Sequence, residues 1–145
     1  MKILIFTSQL SNGSAELLSA DLAKNLLKLN QKIFLVSLQP FSKSNNPNEL
    51  FIRNKNLKIL SLNVKPKANI FKLIISIVKL RKIVFENKID VIETSSPNLA
   101  SIASFTILGS EIKLISGLHE TFYKGKNRIK GGNTNSIRKR IYAFL

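Results

Sequence analysis

The sequence predicts an α/β domain built on a doubly wound parallel sheet. Short apolar runs of strand length alternate along the chain with longer segments in which apolar residues recur at helical spacing. The first run lies within residues 2–8 and is apolar at successive positions, as expected of a strand buried on both faces. A short polar loop then leads directly into a helical segment, an order typical of a strand followed by its crossover helix.

The first half of the chain is predicted to form a strand, a helix and two further strands. We expect Ser14 to be the N-cap of the helix and Asn30 to end it. A second strand is predicted over residues 33–38, a loop rich in Ser, Asn and Pro over residues 40–49, and a third strand over residues 57–62. The helix has an apolar stripe at helical spacing: Leu18, Leu22, Leu26 and Leu29.

A long, unusually apolar helix is predicted next, from the cap residue Asn69 to about Asn87. Its polar residues fall on one narrow stripe: Lys72, Ser76, Lys79 and Glu86, with Lys82 beside it. Two interpretations stay open. The helix either packs into the domain with this stripe as its wet edge, or lies on a membrane with its basic residues among the lipid headgroups.

The second half of the predicted sheet follows that helix. A fourth strand is predicted over residues 89–94 and a fifth over residues 112–116. Between them, Ser96 is expected to be the N-cap of a helix with Pro97 at its first position, and Gly109 to end it. The resulting order, β-α-β-loop-β-α-β-α-β, favours a parallel sheet.

Composition limits the function classes. The 145 residues have a net charge of +15 and no cysteine, so disulfides and thiolate-bound metals are excluded. Lys greatly outnumbers Arg, and the aromatic residues are mostly Phe within apolar runs, so nucleic acid is not the expected partner. No run approaches the roughly 18 apolar residues of a membrane span. We expect a cytoplasmic protein with no bound metal.

The chain is predicted to change character near its end. Residues 1–123 are expected to form the α/β domain, and residues 124–145 a basic loop followed by the start of a helix. This second segment has many basic residues and no acidic one. Its last residues are apolar, which we interpret as a helix whose continuation is missing.

Several motifs resemble one known family. The loop Asn12-Gly13-Ser14-Ala15-Glu16 after the first strand is similar to a Gly-Gly-Ala-Glu loop, and residues 87–92 are similar to a Lys-Pro-Asp-Val-Ile strand entry. Ser95-Ser96-Pro97 is similar to the family's next loop. Residues 113–120 are similar to its fifth strand, which ends in a His, here His119. Together they resemble the N-terminal domain of GT-B glycosyltransferases, most closely the family 4 type, with a Rossmann-like fold.

The resemblance implies a function and a site. The family transfers a sugar from a nucleotide-sugar donor to an acceptor with retention at the anomeric carbon, most commonly in polysaccharide biosynthesis. By position, His119 matches the catalytic-site histidine that faces the donor sugar. Substrate-binding positions are expected at Gly13, Ser14, Ser95, Ser96 and Glu120, with no cofactor beside the nucleotide sugar. The chain has Glu93 where the family often has His.

The family's second domain, which binds the donor nucleotide, has no counterpart in these residues. The resemblance therefore predicts the acceptor-side half of an enzyme, in a truncated or split form, which needs a separate C-terminal-domain subunit for activity. The expected acceptor is a glycan or a lipid-linked molecule, with peripheral contact at the inner face of the membrane. An alternative stays open: a stand-alone basic α/β module that binds nucleic acid or an anionic membrane surface.

Overall fold

The computed structural model describes residues 1–10, 14–41, 54–64 and 69–117, and of residues 14–16 only the backbone. The described strands are β1 (Lys2–Thr7), β2 (Lys32–Ser37), β3 (Leu57–Ser61), β4 (Val91–Thr94) and β5 (Lys113–Ser116). The described helices are α1 (Ser14–Lys28), α2 (Ile70–Glu86) and α3 (Pro97–Ile107). Most of the loop predicted over residues 40–49, and the whole of residues 124–145, lie outside the described residues.

The strands form one parallel sheet in the order β3-β2-β1-β4-β5. The chain moves outward from β1 to β3, then returns to the other side of β1 and moves outward again to β5. This order, with helices on both faces, is consistent with a Rossmann-like fold. The predicted α/β class and parallel sheet are confirmed.

The two faces of the sheet have separate cores. On one face, Leu4 and Phe6 of β1 pack with Leu80 of α2 and Ile102 of α3. On the other face, Ile3, Ile5, Ile33 and Leu35 pack with the small residues of α1. Strands β1 and β2 are therefore almost fully buried, which explains their continuous apolar sequence.

Helix α1 does not pack through the predicted leucine stripe. Ser19, Ala20 and Ala23 are its buried residues, whereas Leu18, Leu22 and Leu29 are exposed and Leu26 is only half-buried. Small side chains let the helix backbone approach the sheet closely, so the alanine face is buried in preference to the bulkier one. The apolar periodicity of α1 therefore does not identify its buried face.

Helix α2 also differs from its predicted orientation. Ser76, expected on the wet edge, is buried beside Leu80 and Val84, and its hydroxyl donates to the carbonyl of Lys72 at 2.7 Å. This bond satisfies the hydroxyl inside the core. The solvent side of α2 is largely apolar instead. Among the described helices, none combines the length and the apolarity needed to cross a membrane.

Helix ends follow the predicted local signals. Asn69 is the N-cap of α2, and its side-chain oxygen accepts from the amide of Lys72 at 3.0 Å. Asn30, which follows α1, has a left-handed φ of 56°. Gly109, which follows α3, has a φ of 78°, a conformation that glycine adopts without steric cost.

Asp90 joins the amino ends of β1 and β4. Its carboxylate accepts from the backbone amide of Lys2 at 2.7 Å, and its own amide donates to the carbonyl of Lys2 at 3.0 Å. The Lys2 ammonium donates to the carbonyl of Asn87 at 2.8 Å. Backbone and side-chain bonds thus fix the amino edge of the sheet where its two halves meet.

We predict that Leu80→Ala lowers the free energy of unfolding by about 2–5 kcal/mol, because it leaves a cavity between α2 and the sheet. Val78→Ala, on the same helix but 61% exposed, is the matched control and is expected to change stability by roughly 0.5 kcal/mol or less. Urea unfolding of both variants measures the difference. Equal losses would contradict the observed orientation of α2.

Candidate functional site

The carboxyl edge of the sheet is lined with hydroxyl groups. Each described strand ends in Ser or Thr: Thr7, Ser37, Ser61, Thr94 and Ser116. The carboxyl ends of parallel strands all lie at one edge, so these hydroxyls form a polar border above the apolar core. In open α/β sheets, ligands bind at this edge.

The half of this edge formed by β2 and β3 is closed by internal hydrogen bonds. The hydroxyls of Ser37 and Ser61 both donate to the carbonyl of Gln39, at 2.7 and 2.8 Å. The Thr7 hydroxyl donates to the carbonyl of Gln9. These groups are occupied in stabilising the turns that leave the strands, so they are poor candidates for binding a ligand.

The sheet opens between β1 and β4. Toward β2, the pairing of β1 extends past its end, because the amide of Gln39 donates to the carbonyl of Ser8 at 3.0 Å. Toward β4, the paired residues end at Phe6 and Thr94. Helices α1 and α3, which follow β1 and β4, leave on opposite faces of the sheet. In doubly wound sheets such a divergence of helices marks a crevice at the topological switch point, and we use the word crevice for this position.

Thr94 has an unsatisfied hydroxyl at this crevice. The residue is fully buried, and its Oγ1 has no hydrogen-bond partner within the described structure. It shares the face of the sheet with Ile92, on which α3 packs. A buried hydroxyl without a partner costs free energy. Because this oxygen has no exposed surface, a ligand at the edge would have to displace neighbouring atoms to bond to it, and that bond would then recover the cost.

The first turn of α3 begins immediately after this residue. Ser96 is the N-cap, as predicted, and Pro97 occupies the first turn, but the Ser96 side chain makes no capping hydrogen bond. The amide groups of the first turn therefore lack the usual side-chain acceptor. Uncapped amides and the positive end of the helix dipole favour an oxygen-rich or anionic ligand.

The predicted site residues divide into two groups. Ser95 and Ser96, adjacent in the chain, follow β4 at the carboxyl edge of the sheet and are half-buried. Ser14 is the first residue of α1, after β1, but its side chain is not described. Gly13, His119 and Glu120 lie outside the described residues. Their predicted roles remain predictions.

Gly117, the last described residue before His119, bonds to β4 on the side that faces β5. The amide of Gly117, two residues before His119, donates to the carbonyl of Thr94 at 2.9 Å. This bond extends the pairing of β5 with β4 by one residue past the strand end. The last described residue before His119 is thereby anchored beside the unsatisfied hydroxyl.

Sequence reasoning misses Thr94 at this position, whereas it singles out Glu93 as the residue that stands where the family often has His. The sequence places Thr94 in the fourth strand, but nothing local distinguishes its hydroxyl from those that bond to their own turns. Glu93, a half-buried carboxyl residue in the middle of the sheet, lies in register with Ile5 and Ile115. A charged residue within an apolar strand is the available signal for it.

Comparisons with known proteins add no family to these observations. No protein-family model matches the chain, and no curated protein matches it. Within the described ranges, His, Cys, Asp and Glu side chains form no cluster of three that could hold a metal ion. The geometry defines a class: a Rossmann-like α/β domain with a polar crevice at its switch point.

We predict that Thr94→Val leaves the free energy of unfolding unchanged or raises it by up to about 1 kcal/mol, because it removes a buried, unsatisfied hydroxyl. Thr106→Val is the matched control. Thr106 is equally buried, but its hydroxyl donates to the carbonyl of Ile102 at 2.8 Å, so its loss is expected to cost roughly 1 kcal/mol. Thermal unfolding compares the two; a destabilised Thr94→Val protein would refute the unsatisfied state.

Proposed function

We propose that the chain is the N-terminal, acceptor-side domain of a retaining glycosyltransferase. It would act on a sugar carried by a nucleotide-sugar donor and on a glycan or lipid-linked acceptor. The observation that supports this proposal best is the crevice between β1 and β4, where the buried Thr94 hydroxyl has no partner in the described structure. Sugars and phosphates present the oxygen atoms that such a hydroxyl and a helix N-terminus bind.

The motif resemblance supports the same assignment from the sequence. Ser95 and Ser96, the substrate-binding positions that the motifs imply, lie at this crevice. Gly117, two residues before His119, bonds to the carbonyl of Thr94, and the proposal therefore puts His119 near the carboxyl end of β4. In the proposed enzyme, the bond from the anomeric carbon to the donor phosphate oxygen breaks and a bond to the acceptor oxygen forms. The nucleoside diphosphate leaves and takes up the proton of the acceptor hydroxyl.

His119 is proposed to donate a hydrogen bond to the donor sugar or to exchange a proton near neutral pH. The nucleotide would be held by a donor-binding domain across the crevice, supplied by a separate subunit or by further chain. We also propose a cytoplasmic location at the inner face of the membrane, since a lipid-linked acceptor would be presented there.

Ligand titration followed by NMR tests the proposed site. We expect nucleoside diphosphate sugars or short oligosaccharides to shift the amide resonances of Thr94, Ser95, Ser96, Asn98 and Gly117. The amide of Ser110, at the opposite edge of the sheet, is the internal control and is expected to stay unchanged. Shifts confined to other surfaces, or no shift with either ligand class, would contradict the proposal.

A variant at the helix cap separates binding from stability. Ser96→Ala removes a hydroxyl that makes no capping bond, so we expect no measurable loss of stability. Asn69→Ala removes a cap that does bond, and we expect it to cost about 1 kcal/mol. Ligand affinity is expected to fall severalfold for Ser96→Ala alone. Unchanged affinity would remove Ser96 from the site.

The role of His119 is tested in an enzyme reconstituted with a donor-binding domain. We expect His119→Ala to lower turnover about a hundredfold, the loss typical of one removed transition-state hydrogen bond. Ser110→Ala, at the amino edge of the sheet, is the control for activity lost during preparation of a variant protein. Equal turnover for the two variants would exclude a catalytic role for His119.

A further inference from the structure

The outward face of helix α2 is an exposed apolar surface. Phe71 is 70% exposed and Val78 61% exposed, although both belong to residue types that are usually buried. We call this the α2 face, and it consists of Ile70, Phe71, Ile74, Ile75, Val78 and Phe85. A contiguous apolar surface of this kind marks a contact with a partner of matching chemistry.

The α2 face is formed before any partner binds. Leu80 and Val84 fix the opposite side of the helix in the core, and Asn69 caps its first turn. The side chains of the face are therefore presented from a helix that is already folded and docked. Binding through it would not require the entropy cost of ordering a disordered segment.

Basic side chains border the apolar residues. Helix α2 has four basic residues and a single acidic one, Glu86, which pairs with Lys82 at 3.8 Å. Lys79 and Arg81 donate to uncharged carbonyl oxygens, of Leu62 at 2.7 Å and of Thr106 at 2.6 Å. Their positive charges are held near the surface without an acidic partner in these bonds.

Helix α3, which lies beside α2, adds exposed apolar side chains to this surface and no charged ones. The Arg81 guanidinium bonds to the carbonyls of Thr106 and Leu108, so the end of α3 lies against α2. Phe105 and Leu108 are both exposed there, and α3 has no charged residue. The combined surface is apolar with a basic border, and this pairing of properties matches an anionic lipid bilayer.

We propose that the α2 face docks the protein on an anionic membrane surface, with its apolar side chains at the acyl boundary and its basic residues among the headgroups. A second exposed apolar surface, formed by Leu18 and Leu22 of α1 and by Leu29 just after it, lacks this charge excess, because Asp21 pairs with Lys24 there. The inference is independent of glycosyl transfer, because it concerns a different surface from the crevice.

Vesicle co-sedimentation of the full chain tests the docking surface. We expect binding to vesicles of phosphatidylcholine mixed with phosphatidylglycerol and much weaker binding to phosphatidylcholine alone. The double variant Phe71→Ser with Val78→Ser is expected to weaken binding about tenfold or more, because it removes apolar surface that the bilayer buries. The matched control is Leu18→Ser with Leu22→Ser, which changes two exposed side chains on α1 and is expected to bind normally.

A charge pair gives an independent readout. Lys82→Gln is expected to weaken binding to the anionic vesicles about fivefold, the effect of one lysine near such a surface. Lys24→Gln, which also belongs to an exposed ion pair one turn apart, is the control. Circular dichroism checks that every variant keeps cooperative unfolding, as expected for changes at exposed positions.

Three results would overturn the proposal. The first is no binding to anionic vesicles. The second is equal vesicle binding by the double variants of α2 and of α1, which would mean that basic residues elsewhere in the chain attract the protein to the anionic lipid. The third is a change from dimer to monomer in Phe71→Ser with Val78→Ser without vesicle binding, which would make the α2 face a contact between two copies.

Discussion

Strand β1 pairs on both sides, with β2 and with β4, and its side chains enter both cores of the sheet. Leu4 and Phe6 contribute to the core under α2 and α3, while Ile3 and Ile5 contribute to the core under α1. A parallel sheet must be covered on both faces, because its strands are joined by helices and bury both sets of side chains. The position of every other described element depends on this central strand.

The two ends of β1 have opposite properties, and this difference locates the candidate site. At the amino end, Asp90 and Lys2 join the halves of the sheet through backbone and side-chain bonds. At the carboxyl end, the pairing of β1 with β4 stops at Thr94, while α1 and α3 leave on opposite faces. Hydrogen bonds therefore fix the amino edge of the sheet, where β1 and β4 begin. The carboxyl edge, where the two strands stop pairing, contains the unsatisfied Thr94 hydroxyl.

The protein has two candidate binding surfaces of different chemistry, one polar and one apolar with a basic border. The crevice lies at the ends of strands and offers hydroxyl and amide groups, which suit an oxygen-rich ligand. The α2 face is broad, apolar and bordered by Lys79, Arg81 and Lys82, which suits a lipid surface. An acceptor carried by a lipid would bring both surfaces into use together, since the docked protein would hold its crevice near the membrane.

The sequence by itself determined the strands, the helices and several caps, because these depend on neighbours within a few residues. Asn69 and Ser96 are N-caps, and Gly109 follows the end of α3, as their local sequence predicts. Only the tertiary structure decided which helix faces are buried. Ser19, Ala20 and Ser76 face the sheet because close backbone approach and internal hydrogen bonds outweigh the larger apolar area of Leu18 or Phe71. Likewise, Ser95 and Ser96 could be assigned from motifs, but the state of the Thr94 hydroxyl depends on strand order and on packing between distant segments.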